Sequence, residues 1–498
     1  MKIYIIILLS IFTLTCKAQN ETDYLTKSEI ENDLKFLDDF LQNQSSYQGL
    51  NGFDYRKDFA NYLEKINDKN KISKSDFGIF LTKTIGKIGD RHSYIRGYDL
   101  PNNLFLPFVV APLNEKVVAL NYNKSQREYH LLYQKFPFLK AINTVPINDF
   151  LKNIIPEDIK APESAMRVRS VKQLKYIADN YAIMGKKIPE NFEFTFTNGK
   201  TDTIVKIPLE IKRGTYITWD EKFARVNNPR RKELNNPELI KNLFHLDENN
   251  IAYLRIPVMA HKEDALVFFE TINEFMDKAK SSKSLIIDVR GNGGGTRHLI
   301  KELAGYFVHP DSTYIVNATR QRGKLPLNED FKDDLHNRFL FSTNELDDIE
   351  RELVNKFMST FVPMYNLDDT KYSDFHYFVL NGRKLTKDKY HYNKPIYIMA
   401  NEKSFSAASV FTSVFKGLPN IKLVGVNTDG SSGNSERFEL PNSEFRGKIS
   451  TMVSFQKNGQ ILDGIGTKPD IIIKRNLDQI LWKEDYQLNR LIEIIKSE

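Results

Sequence analysis

The chain is poor in the residues that staple or stiffen a protein. Of 498 residues one is cysteine, Cys16, so no internal disulfide can form. With 24 glycines and 19 prolines it is neither collagen-like nor of low complexity. Beyond the first twenty residues no run is apolar enough to cross a bilayer. Charge of one sign is scarce too. The 71 basic residues exceed the 64 acidic ones by only 7, and no dense basic patch marks a nucleic-acid surface. There is no internal repeat, and no clustered His/Cys/Asp/Glu spacing, so neither a metal nor a cofactor is expected. What is present is ordinary for a globular chain. Hydrophobic residues make up 41% and charged residues 27%, which is too apolar for disorder and sufficient for two to four packed domains.

Residues 1–18 read as a signal peptide. Lys2 precedes an apolar run from Ile3 to Thr15, followed by the small-residue exit Cys16-Lys17-Ala18. The run is short for a permanent anchor, so the expectation is export to the periplasm or medium. The alternative is lipidation of Cys16 and attachment to the outer membrane.

Periodicity divides the mature chain. Residues 19–100 predict a helical domain. Ile30, Leu34, Leu37 and Leu41 recur at helical spacing behind a capping box of Ser28 and Glu31. A second amphipathic run, from Ser75-Asp76 through Phe77, Leu81 and Ile85, stops at Gly89. Residues 101–212 predict a β-rich domain with short runs at 108–110, 117–120, 138–142 and 192–207. Residues 213–250 are polar and predict a linker. From 251 to 475 strands alternate with helices, the pattern of an α/β domain, interrupted by an aromatic and charged insertion at about 310–392. Residues 476–498 predict a C-terminal helix.

Three segments of the α/β region can carry chemistry. Leu285 to Gly295 is a buried strand that ends in Asp288 and Arg290 and then in glycines, whose backbone N–H groups can approach a ligand closely. Its glycine spacing is not that of a phosphate-binding or dinucleotide-binding loop. Ile396 to Phe411 is a strand that turns and delivers Ser406 to the start of an alanine-rich helix. There unpaired N–H groups can stabilise an oxyanion; a plain N-capping serine is the competing reading. Gly459 to Asp470 is a glycine- and proline-marked loop that presents Asp463, and read by itself it is a surface turn.

In this order the three segments resemble the C-terminal processing (tail-specific) serine peptidases. The shared features are a strand ending D-x-R-x-N-x-G-G, a serine before alanine at a helix start, and G-x-G-x-x-P-D near the end. The resemblance implies a crotonase-like ββα spiral core with an N-terminal helical domain. Leu139 to Phe150 looks like part of a PDZ domain, although the glycine-rich carboxylate-binding loop has no counterpart, so a degenerate PDZ-like domain is expected.

The base divides that family. Tail-specific members carry a lysine 25 residues after the serine, and here that position is Ser431; Lys416, along the helix, reads as solvated. The branch similar to the tricorn core uses a histidine in an S-H-x-Y context, and this chain has Arg91-His92-Ser93-Tyr94. The resemblance therefore implies Ser406 as nucleophile, His92 as general base and Asp463 as the acid that orients it. Ala407 with Gly293 or Gly294 would form the oxyanion hole. Asp463 stands where that branch has Glu, and Arg91 where it has a serine assisting the acid. His298, near the glycine loop, is the competing base. The expected activity is a serine endopeptidase acting on extended peptide or protein. The alternative is an inactive ligand- or peptide-binding protein on the same fold, and the oligomeric state is left open.

Overall fold

The computed structural model describes residues 23–100, 104–154, 161–211, 217–226, 229–431 and 433–498. The expected signal peptide and Cys16 lie outside the described residues. No helix among them is long and apolar enough to span a membrane.

Three helices, Lys27–Gln44, Tyr55–Lys65 and Lys74–Ile88, form the first unit. Ile30, Leu34, Leu37 and Leu41 are all buried, as their spacing predicts. The capping box lies two residues earlier than expected: Thr26 and Glu29 satisfy each other's backbone N–H groups, while Glu31 pairs with Lys27 one turn back. The third helix is capped by Ser73, and Gly89 ends it in the left-handed conformation (φ 87°) that glycine adopts without steric cost. These helices share one core with Phe445, Ile449, Val453, Phe455 and Ile461. The helical unit is therefore packed onto the distant end of the chain.

The second unit is an antiparallel sheet in the order Asp202–Lys206, Glu193–Thr197, Phe138–Ile142, Lys116–Asn123, Val109–Leu113. The strand–turn–helix expected at 139–150 is present: Asn143 and Thr144 turn at positive φ, and a helix runs over Ile147–Ile154. The helices Glu163–Gln173 and Ile177–Ile183 follow.

The third unit is the α/β core. Its sheet runs in the order Phe244–Leu246, Ile251–Arg255, Ser284–Asp288, Ile396–Ala400, Ile421–Gly425, Ile471–Ile472, parallel except for the first pair. Both faces are covered, which explains the unbroken apolar runs. Leu285, Ile287, Ile396 and Ile398 face the helices Leu266–Ala279, His298–Phe307 and Ala407–Phe415. Ile286, Tyr397 and Met399 face the C-terminal helix Tyr486–Ser497.

Two segments differ from their composition. The 213–250 stretch, read as a linker, buries Trp219, Leu234, Ile240 and Leu243 and supplies the edge strand Phe244–Leu246. Its few apolar residues are scattered among charges and show no period. The 310–392 stretch, read as an insertion, contains the strand Thr313–Gln321, which lies between His376–Asn381 and Met452–Gln456 in a second sheet of the core. Asn317, Thr319, Arg320 and Gln321 are buried there, so polar residues occupy positions where alternation would need apolar ones.

Candidate active site

Three loops leave the carboxyl ends of adjacent parallel strands, the place where open α/β sheets bind ligands. After Ser284–Asp288 comes the glycine loop, after Ile396–Ala400 the Ser406 turn, and after Ile421–Gly425 the loop to Ser431. Beneath them Asp288 is fully buried. Burial pushes its carboxyl up, but Arg255 and Arg290 hold it down at about 2, and Arg290 continues to Asp485. Asp288 and Arg290 thus fix the loop from below.

Ser406 sits at φ 52°, ψ −125°, and its side chain makes no capping hydrogen bond. That backbone is strained for an L-residue, so the capping reading fails and the turn works as an elbow that lifts the hydroxyl. The elbow is tied to the glycine loop by the hydrogen bond from Phe405 N to Asn292 O (3.0 Å). A Cβ on Gly294 would lie 2.6 Å from Ser406 Cβ, so only glycine permits this approach. The N–H of Gly294 donates to Asn292 Oδ1 at 2.9 Å and is not free for a substrate. Of the expected oxyanion donors, Ala407 N and Gly293 N therefore remain.

His92 arrives from the helical unit. Asp90 accepts hydrogen bonds from the backbone N–H groups of His92 (2.8 Å) and Ser93 (2.7 Å) and from Ser450 Oγ (2.7 Å). The next strand, Tyr94–Arg96, pairs with Arg446–Ser450 of the core. Arg91 makes a two-pronged contact with Asp429 (3.0 and 2.8 Å), and its guanidinium lies over the Phe405 ring. The His92 ring packs on the same Phe405 ring, centroids 5.0 Å apart, and Phe405 immediately precedes Ser406. Its Nδ1 is 2.7 Å from Ser431 Oγ, and Ser431 Oγ donates to Asp463 Oδ1 at 3.3 Å. Tyr47 donates to Asp463 Oδ2 at 3.1 Å. Burial, with Lys448, Arg91 and Arg338 nearby, lowers the His92 imidazole to about 3. It is neutral at rest.

The structure thus brings His92 and Asp463 together through Ser431, which the sequence showed only as an absent lysine. The single available signal was a hydroxyl residue where a base was missing. Among the described residues the Ser406 hydroxyl makes no hydrogen bond. Lys416, read as solvated, pairs with Asp470 at 3.2 Å. His298 stacks edge-on against His261, centroids 4.1 Å apart, and accompanies Thr296.

A strained serine at a helix start, beside a glycine loop and a buried histidine, is the layout of a serine hydrolase. Residues 250–473 match the profile of peptidase family S41. That segment is the α/β core, and through it the chain is similar to the C-terminal processing peptidases of that family. Over most of its length it is similar to mature CPAF complexed with lactacystin, with 16% identity, 94% of this chain and 98% of that chain covered, and a TM-score of 0.62. Mature CPAF is similar at 17% identity, 94% and 97% coverage and a TM-score of 0.62. A serine-to-alanine mutant of CPAF is similar at 15% identity, 95% and 99% coverage and the same TM-score. At such identities the likeness is one of fold: an α/β core with additional domains.

Proposed function

We propose that the protein is an exported serine endopeptidase that works through an acyl-enzyme on Ser406. Ser406 Oγ attacks the scissile carbonyl carbon while His92 Nε2 takes its proton. The tetrahedral oxyanion is held by the N–H groups of Ala407 and Gly293. His92 then gives the proton to the leaving amine, and water repeats the sequence on the ester. With Nδ1–H donating to Ser431 Oγ, and that hydroxyl donating to Asp463, the imidazole keeps its Nε2 lone pair toward the serine. The imidazolium formed in the reaction is stabilised through the same chain.

The observation that carries this reading is the hydrogen-bonded run Asp463–Ser431–His92 against Phe405, next to the strained Ser406. Export rests on residues 1–18 and is tested by cell fractionation. A binding protein without chemistry is favoured by one fact, the low basicity of His92 at rest. A fluorophosphonate probe decides between the two. Labelling that is lost in Ser406→Ala and His92→Phe supports the enzyme. An unlabelled protein that binds peptide tightly supports the carrier.

A further inference from the structure

We propose that the substrate cleft selects peptides that carry a carboxylate beside an apolar side chain, and this rests on the peptidase reading above. A cavity of about 680 Å³ begins at Gly293 and Phe405, next to the oxyanion donor, and reaches Arg169 and Lys172 of the helix Glu163–Gln173. A second cavity, of about 440 Å³, shares Arg169 and Lys172 and is otherwise mostly apolar, with Ile79, Tyr98, Ile154, Tyr176 and Ile183. The two cavities meet at those cations, which share one helix face at i and i+3. A chain leaving the reacting serine on this side passes them before it enters the apolar well.

Among the described residues, the acids that line the first cavity, Glu402 and Asp429, are already committed. Glu402 is 4% exposed and bonded to Arg475. Asp429 is 3% exposed, held by both nitrogens of Arg91 and by a single 3.3 Å contact from Arg169. One carboxylate thus faces two guanidiniums, and Arg169, with 43% of its side chain exposed, presents the surplus charge to the cleft. Arg230 and Lys403 line the same cavity; Lys403 is balanced by Asp220. A bland reading assigns Arg169 only to neutralising Asp429, yet Arg91 alone does that at the shorter distances. Cations at a partly desolvated junction favour a peptide carboxylate, and the neighbouring well favours Leu, Ile or an aromatic ring.

The test uses fluorescent peptides in which a Glu is walked along an apolar sequence, with Gln and Lys versions of each. Binding is read by anisotropy on full-length Ser406→Ala and cleavage on the wild type. At the best position Glu is expected to exceed Gln by about tenfold and Lys by more, with the gap narrowing as salt rises. Arg169→Gln, with its melting temperature unchanged, should remove most of the advantage of Glu over Gln, and Ile183→Asp should weaken all three. Equal binding of the Glu, Gln and Lys peptides at every position, or a preference untouched by Arg169→Gln, overturns the proposal. Cleavage without charge preference sinks this inference and leaves the peptidase standing; selective binding without cleavage does the opposite.

Discussion

At Ser431 a single hydroxyl resolves two mismatches at once. Asp463 is one methylene shorter than the glutamate of the similar branch, and Arg91 occupies the place of that branch's assisting serine. The Ser431 hydroxyl lies between Asp463 Oδ1 and His92 Nδ1 and spans the gap. Ser431→Ala should therefore lower kcat by about 10²-fold or more, the scale of losing general-base positioning, with little change in KM. Adding Asp463→Glu to Ser431→Ala should recover part of that loss, because the longer acid can reach the imidazole directly. Steady-state kinetics of the two variants check this, and an undiminished kcat in Ser431→Ala would remove Ser431 from the relay. None of this was legible from sequence, since the contact joins residues 339 positions apart and the motif showed only a lysine's absence.

At the level of elements, the strand and turn that carry Ser406 were readable, and the approach of His92 only in part. Uninterrupted apolar strands ending in Asp288 and Ala400 announced buried strands of an α/β domain, and the structure pairs them in parallel with the glycine loop and Ser406 beyond their carboxyl ends. The sequence could not show which glycine N–H is already taken within the loop. Gly294 looked equivalent to Gly293 until its N–H was found bonded to Asn292 and its α-carbon set against Ser406. Gly294→Ala, at φ 96° and with a 2.6 Å clash, should destabilise the protein by about 1–3 kcal/mol and abolish labelling of Ser406. Gly293→Ala meets no neighbour within 4 Å and should fold normally. Thermal melts with probe labelling separate the two. The second sheet was missed because Asn317, Thr319 and Gln321 are buried polar residues, and hydrophobic period is the main signal that sequence offers for a strand.

On the scale of the molecule, burial of His92 couples folding to acidity. Its ordinary value is 6.5 and its folded value about 3, so between these pH values the unfolded chain binds a proton that the folded one refuses. Stability is complete above pH 6.5 and falls as pH drops toward 3, by up to roughly 4 kcal/mol from this residue. His92→Gln should flatten that part of the melting-temperature profile relative to the wild type. A parallel fall in both proteins would show that other groups dominate.

The short pairing of Tyr94–Arg96 with Arg446–Ser450 has a consequence for when reactivity begins. In the mechanism proposed above, the His92 imidazole is synthesised more than three hundred residues before the Ser406 hydroxyl that it would serve, and each is inert alone. A nascent or partly folded chain carries no complete catalytic centre, whatever region has matured first. On that mechanism, cutting power would appear only when the earliest and latest parts of the polypeptide clasp one another.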